Sequence, residues 1–207
     1  LIMSLVATSV ISLPLALAVV LAVVLSQDIP IRERQIAHLR TRIKLPPDAF
    51  ARFEALASQC ARLELALRLP LLGIAFPALR QRPPEQLHKL GIVVDEILGM
   101  NAEIGVLDYA LGRLLRVLVT EVLSPRARRP ASPIPKLHDL RVEAQTLFAV
   151  IAQVGHTNEQ DARSAFDAGM RRLLPMAPPE FSRPSDWLNS LDRALTRFDQ
   201  LPPAIKQ

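Results

Sequence analysis

Residues able to hold a metal or move a proton are few in this chain and far apart. There are four histidines, His38, His88, His138 and His156, and a single cysteine, Cys60. A zinc-hydrolase helix needs two imidazoles at i and i+4 and a glutamate beside the first, so that both rings reach the ion while the carboxylate activates water. No histidine here has another four residues on. His156-Thr157-Asn158-Glu159 offers one His and one Glu, but at an expected helix start, where Glu159 favours the macrodipole. A zinc site also needs three or four converging ligands. Cys60, in SQCARLELAL, reads as a small core hydrophobe with no cation evident beside it to lower its pKa. One cysteine cannot form an internal disulfide, which fits a reducing compartment. With no glycine-rich phosphate loop and no strand-turn context for a nucleophile, the chain itself is not expected to be an enzyme or to hold a cofactor.

Two charged groups remain. The acids Asp95, Glu96, Glu103 and Asp108 gather around a helix-turn-helix near Asn101. A calcium loop wants a denser ladder of oxygens around a central glycine, so these acids read as a solvated rim, with ion binding the sharper alternative. Between Asp28 and Lys44 lie Arg32, Arg34, Arg40, Arg42 and Lys44, against Asp28 and Glu33. Single-strand binders interleave such cations with aromatic stacking platforms. Almost no aromatics occur among these, which argues against nucleic acid. Basic residues beside an apolar run mark the cytoplasmic side of a membrane and attract anionic headgroups.

The elements that position these groups begin with residues 1–27, which carry no charged side chain. A bilayer core about 30 Å thick needs roughly 20 apolar residues as a helix, so a transmembrane helix is expected over 1–27. A signal peptide would need a basic start and a shorter apolar core. The chain opens on Leu1, which suggests an internal piece of a longer protein. A basic juxtamembrane helix is expected within 28–45, a helical bundle over 46–123, a Pro/Arg linker over 124–135 and a second helical segment, cut short, over 136–207. Prolines at expected helix starts place helices near 29–44, 47–67, 70–81, 84–99 and 105–123, then 136–154, 158–174 and 185–200. Thr157 with Gln160 fits a capping box and Ser185 an N-cap. No sustained strand alternation occurs, so the expected class is all-α. Leu72, Phe76 and Leu79 share a helix face and should meet Ile97, Leu111 and Leu114 in a core.

The run RLPLLGIAFPALRQRPPEQL, Arg68 to Leu87, resembles the cytoplasmic C-terminal region of bacterial HtpX-type integral-membrane zinc metallopeptidases. The resemblance rests on Leu69-Pro70-Leu71-Leu72, Ala75, Pro77-Ala78-Leu79-Arg80 and Pro84, then Tyr109-Ala110-Leu111 and Arg113-Leu114-Leu115. It spans about residues 1–120, plus the tail Leu201 to Gln207. Where relatives often carry an Asp-Gly turn and a following Glu, this chain has Asn101 to Asp108. The resemblance implies a TerB-like helical bundle at the bacterial inner membrane, with its C-terminal region cytoplasmic. Its role would be non-catalytic membrane anchoring beside a catalytic domain in cis, with protein substrates as further partners. Zinc would belong to the parent peptidase and its catalytic segment would lie before Leu1. The alternative is a free-standing membrane-anchored helical scaffold.

Overall fold

The computed structural model describes residues 13–124, 137–173, 180–182 and 184–201. Among them every regular element is a helix and no strand occurs, so the all-α expectation holds. The chain divides into two compact units, Leu1–Pro125 and Arg126–Gln207. The expected linker falls at this division, and its residues 125–135 lie outside the described ones.

Unit 1 contains α1 (Leu13–Val24), α2 (Ile29–Arg42), α3 (Pro47–Ala61), α4 (Leu65–Leu79), α5 (Pro84–Leu98) and α6 (Val106–Leu123). The apolar segment is its centre. Among the described residues no helix is long and apolar enough to cross a membrane, and the described part of the transmembrane helix expected over 1–27 is α1, of 12 residues. Residues 1–12 of that expected span lie outside the described residues. A helix apolar all round must be buried, and a protein core serves as well as lipid. The 12 residues of α1 pack against α3, α4, α5 and α6, and every residue from Val20 to Leu25 is buried. Fully burying a Val or Leu side chain contributes about 1.5–3 kcal/mol, so the described part of the run is stabilised as core.

The neighbours of α1 supply the amphipathic faces. Phe50, Phe53, Ala57 and Cys60 of α3, Leu87, Leu90, Val94 and Ile97 of α5, and Leu111 and Leu115 of α6 are buried. Leu72, Phe76 and Leu79 are buried in the same cluster and Leu114 packs against it, as the spacing predicts. At Gly112 an added Cβ would come within 2.7 Å of Leu98 Cδ1, so glycine is what lets α6 lie this close to α5.

Helix α4 departs from the expected boundary. Pro70 was expected to start a helix, and α3 to run to about 67. Instead α3 ends at Ala61, α4 begins at Leu65, and Pro70 and Pro77 lie inside it. Both prolines are exposed. A proline inside a helix removes one amide donor and crowds the carbonyl four residues back, and a solvent-facing side accommodates both best. Leu67, inside the helix expected over 47–67, lies on α4 instead and is 43% exposed.

Arg68 explains the register of α4. It is only 2% exposed, the largest of the fully buried side chains. Its guanidinium donates to Leu25 O at 2.8 Å, Val23 O at 3.3 Å and Cys60 O at 3.4 Å. The last carbonyls of a helix lack intrahelical donors and carry the negative end of its dipole. Arg68 therefore closes the end of α1, while Arg32 donates to the next two carbonyls, Gln27 O at 2.9 Å and Ser26 O at 3.2 Å.

Unit 2 has a 3-10 turn at Leu137–Leu140, then α7 (Arg141–Gly155), α8 (Glu159–Leu173) and α9 (Trp187–Asp199). Helix α7 packs against both α8 and α9. Ala149, Ala152, Ala162, Phe166 and Met170 form a core on which Phe148 and Phe181 rest. At Gly169 an added Cβ would meet the Phe148 ring at 2.9 Å. Asn158, not Thr157, caps α8, its Oδ1 accepting from Gln160 N at 2.7 Å. The N-cap of α9 is Asp186 in place of Ser185. Residues 202–207 of the tail lie outside the described ones.

Two stability predictions follow from this packing. Phe76→Ala should cost about 3–5 kcal/mol, the range for a core phenylalanine, and Asp108→Asn should cost far less, in thermal melts of the chain. Arg68→Ala should cost about 3 kcal/mol or more in urea unfolding, since each buried acceptor left without a donor costs about 1–3 kcal/mol. Arg68→Lys should restore only part of that, because an ammonium cannot fork across separate carbonyls.

Candidate functional site

The charged residues singled out in the sequence come together mainly along the seam between α2 and α5. Asp28 starts α2 by accepting from Ile31 N at 2.9 Å, with Pro30 in the first turn. Gln35 is fully buried, and its amide is used at both ends. It accepts from Ser26 N at 2.8 Å and donates to Ile97 O at 2.9 Å and Asn101 Oδ1 at 3.0 Å. One helical turn on, His38 Nε2 lies 2.8 Å from Glu96 Oε2. A further turn on, Arg42 forks onto the same carboxylate, with Nε 2.9 Å from Oε2 and Nη2 2.5 Å from Oε1. Glu96 is held below the usual carboxylate range, first by the Arg42 hydrogen bond and then by that of His38.

This arrangement redistributes the basic set. Arg32 serves the α1–α2 turn, and Arg42 serves Glu96. Arg40 donates to Glu54 Oε1 at 2.7 Å and stacks on the Phe50 ring, 4.7 Å from its centroid. Arg34 and Lys44 are exposed. Thus three of the five expected headgroup-facing cations already make protein contacts. Beside them, Arg40, Ile43, Lys44, Leu45, Pro47, Phe50 and Glu54 line an open cavity of about 420 Å³.

The acids do not converge. Asp95 faces Arg116 Nε at 3.7 Å, Glu96 belongs to the α2 seam, and Glu103 is exposed. Asp108 accepts from Gly105 N at 3.2 Å, closing the first turn of α6. Among the described residues no group of three or more His, Cys, Asp or Glu is placed to hold a metal ion. His156 and Glu159 instead line an open cavity of about 510 Å³ in unit 2, with Gln153, Thr157, Phe181 and Ser182.

Cys60 is buried, as its spacing predicts, but it does have a cation nearby. Burial pushes its thiol pKa up, and Arg68 opposes that shift. Arg68 lies two helical turns on in sequence, beyond the turn that separates α3 from α4, so proximity along the chain gave no sign of it. Gln35 was also missed. An uncharged polar residue on a basic helix carries no pattern of its own, and only the α5 carbonyl it meets sets it apart.

The Glu96 cluster gives stability a pH dependence of known sign. Its folded pKa is depressed, so its contribution is complete above the unfolded carboxylate pKa and lost as pH falls through the folded value. Melting temperature should therefore fall across the acidic range, and Glu96→Gln should flatten that part of the profile.

Compared with known protein families, curated proteins and solved structures, the chain has no match.

Proposed function

We propose that this chain is a non-catalytic, cytoplasmic helical accessory region of a bacterial zinc-dependent membrane metallopeptidase of the HtpX type. In this role it receives or positions protein substrates for a catalytic domain supplied in cis. The observation that supports this reading is where the resembling residues sit. Leu71, Leu72, Ala75 and Leu79 of α4, and Tyr109, Leu111 and Leu115 of α6, are all buried. The reading rests on these positions lying in the buried part of unit 1, where a shared helical core would place them.

Zinc, in this proposal, is held by an H-E-x-x-H helix of the parent protein, where the glutamate activates water. Attachment to the inner membrane is likewise assigned to the parent, since α1 is committed to the bundle. The chain's own part in this proposal is non-catalytic: its helical units present surfaces to protein substrates.

The reading frame upstream of Leu1 tests this directly. An H-E-x-x-H on an expected helix is the anticipated result, and a start codon within a few codons would favour the free-standing scaffold. The longer product should cleave casein and lose that activity to a chelator. The 207-residue chain alone should leave casein uncut and bind no stoichiometric zinc. One-to-one zinc that disappears in His156→Ala would overturn the proposal.

A further inference from the structure

Helix α4 has no charge to show to water. Arg68 is the one charged residue between Leu65 and Leu79, and it is buried. The exposed positions are Ala66, Leu67, Pro70, Gly73, Ile74 and Pro77, all apolar. They recur at i, i+4, i+7 and i+11, with Leu67 and Ile74 alongside, and so form one stripe. Leu67 is 43% and Ile74 44% exposed, and a Cβ added at Gly73 would meet nothing within 4 Å. Singly exposed aliphatics need no explanation, but a continuous apolar face on a helix does.

Three features select what covers it. The first is size. From Ala66 to Pro77 the stripe is about 16 Å long on a helix about 10 Å across. That is far short of the roughly 800 Å² per partner of a stable two-protein interface, so a second copy cannot be held by it alone. The second is the backbone. Pro70 and Pro77 bring no amide hydrogen, so the carbonyls of Ala66 and Gly73 lose their i+4 donors on the exposed side. Pressed under a dry apolar helix or sunk into hydrocarbon they would go unsatisfied, whereas at a hydrated boundary water reaches them. The third is charge. Exposed Arg62 stands before the stripe and exposed Arg80 follows it, against Glu64, while Arg82 is half-buried and donates to Gln86 Oε1 at 3.1 Å. Apolar contacts framed by cations suit the boundary between headgroups and acyl chains.

We propose that the outer face of α4 rests on an anionic lipid surface, with Leu67 and Ile74 entering the headgroup boundary and the exposed Arg62 and Arg80 meeting phosphates. This relies on the proposed function only for the presence of a membrane, and the test below is independent of what precedes Leu1. The full chain should co-sediment with vesicles of mixed phosphatidylcholine and phosphatidylglycerol, and binding should fall at high salt. Leu67→Ser with Ile74→Ser should weaken binding by about tenfold or more while leaving the melting temperature in place. Arg62→Gln with Arg80→Gln should weaken it on the same vesicles and reduce the salt dependence. Arg34→Gln with Lys44→Gln is the control, expected to leave most of the binding intact. The proposal fails if the full chain does not bind, or if the Leu67/Ile74 pair changes nothing. It also fails if binding follows Arg34 and Lys44, which would place the contact on α2. A Leu67/Ile74 pair that abolishes self-association in sedimentation equilibrium, with vesicle binding unchanged, would assign the face to a second copy and overturn it.

Discussion

The structure of unit 1 depends on how an apolar helix is brought to an end inside a core. When α1 stops, its last carbonyls have no intrahelical donors, and no water reaches them once Val20 to Leu25 are buried. Arg68 supplies the donors. Burial lowers its pKa, with Cys60 and Asp108 opposing that shift, and the carbonyls at the negative end of α1 accept its hydrogen bonds. Placing Arg68 there determines which residues of α4 face inward. Leu71, Leu72, Ala75, Phe76 and Leu79 follow it into the core, and the two prolines are left outside. A charge buried for this purpose specifies register more than it adds stability.

Much of the helical organisation was legible from the sequence. Prolines mark the starts of α2, α3 and α5, where a missing amide donor costs nothing. The same rule misplaces α4, because Pro70 and Pro77 lie on a side where solvent tolerates the lost donor, and proline spacing does not report which side that is. The uncharged run poses a similar ambiguity. Hydropathy measures what a helix avoids, namely water, and is silent on whether lipid or protein covers it. For the described part of the run, α1, the cover is protein: the amphipathic faces of α3, α5 and α6.

The charged residues were legible as residue types but not as partners. Basic residues on α2 read as free for a membrane because the glutamates that engage them, Glu54 and Glu96, lie on other helices. The acids near Asn101 read as a cluster because they are close in sequence. In space the helix and turn send them to separate tasks: Asp95 to Arg116, Glu96 to α2, Asp108 to the α6 cap. Long-range pairing of this kind leaves no periodic trace in a single sequence.

Helix α2 is held differently from its neighbours. It fully buries only Gln35 and Leu39, Ile36 and Ile43 pack partly buried against the core, and its other attachments are polar and partly solvated. Local opening proceeds first where apolar burial is least and hydrogen bonds reach water. Unit 1 is therefore built in two tiers: a bundle of α1, α3, α4, α5 and α6 packed through broad apolar faces, and an outer strap of α2 held by Leu39, the Gln35 amide and the contacts of His38, Arg40 and Arg42 with Glu54 and Glu96. Amide hydrogens in the strap should therefore exchange on a shorter timescale than those of the buried α1.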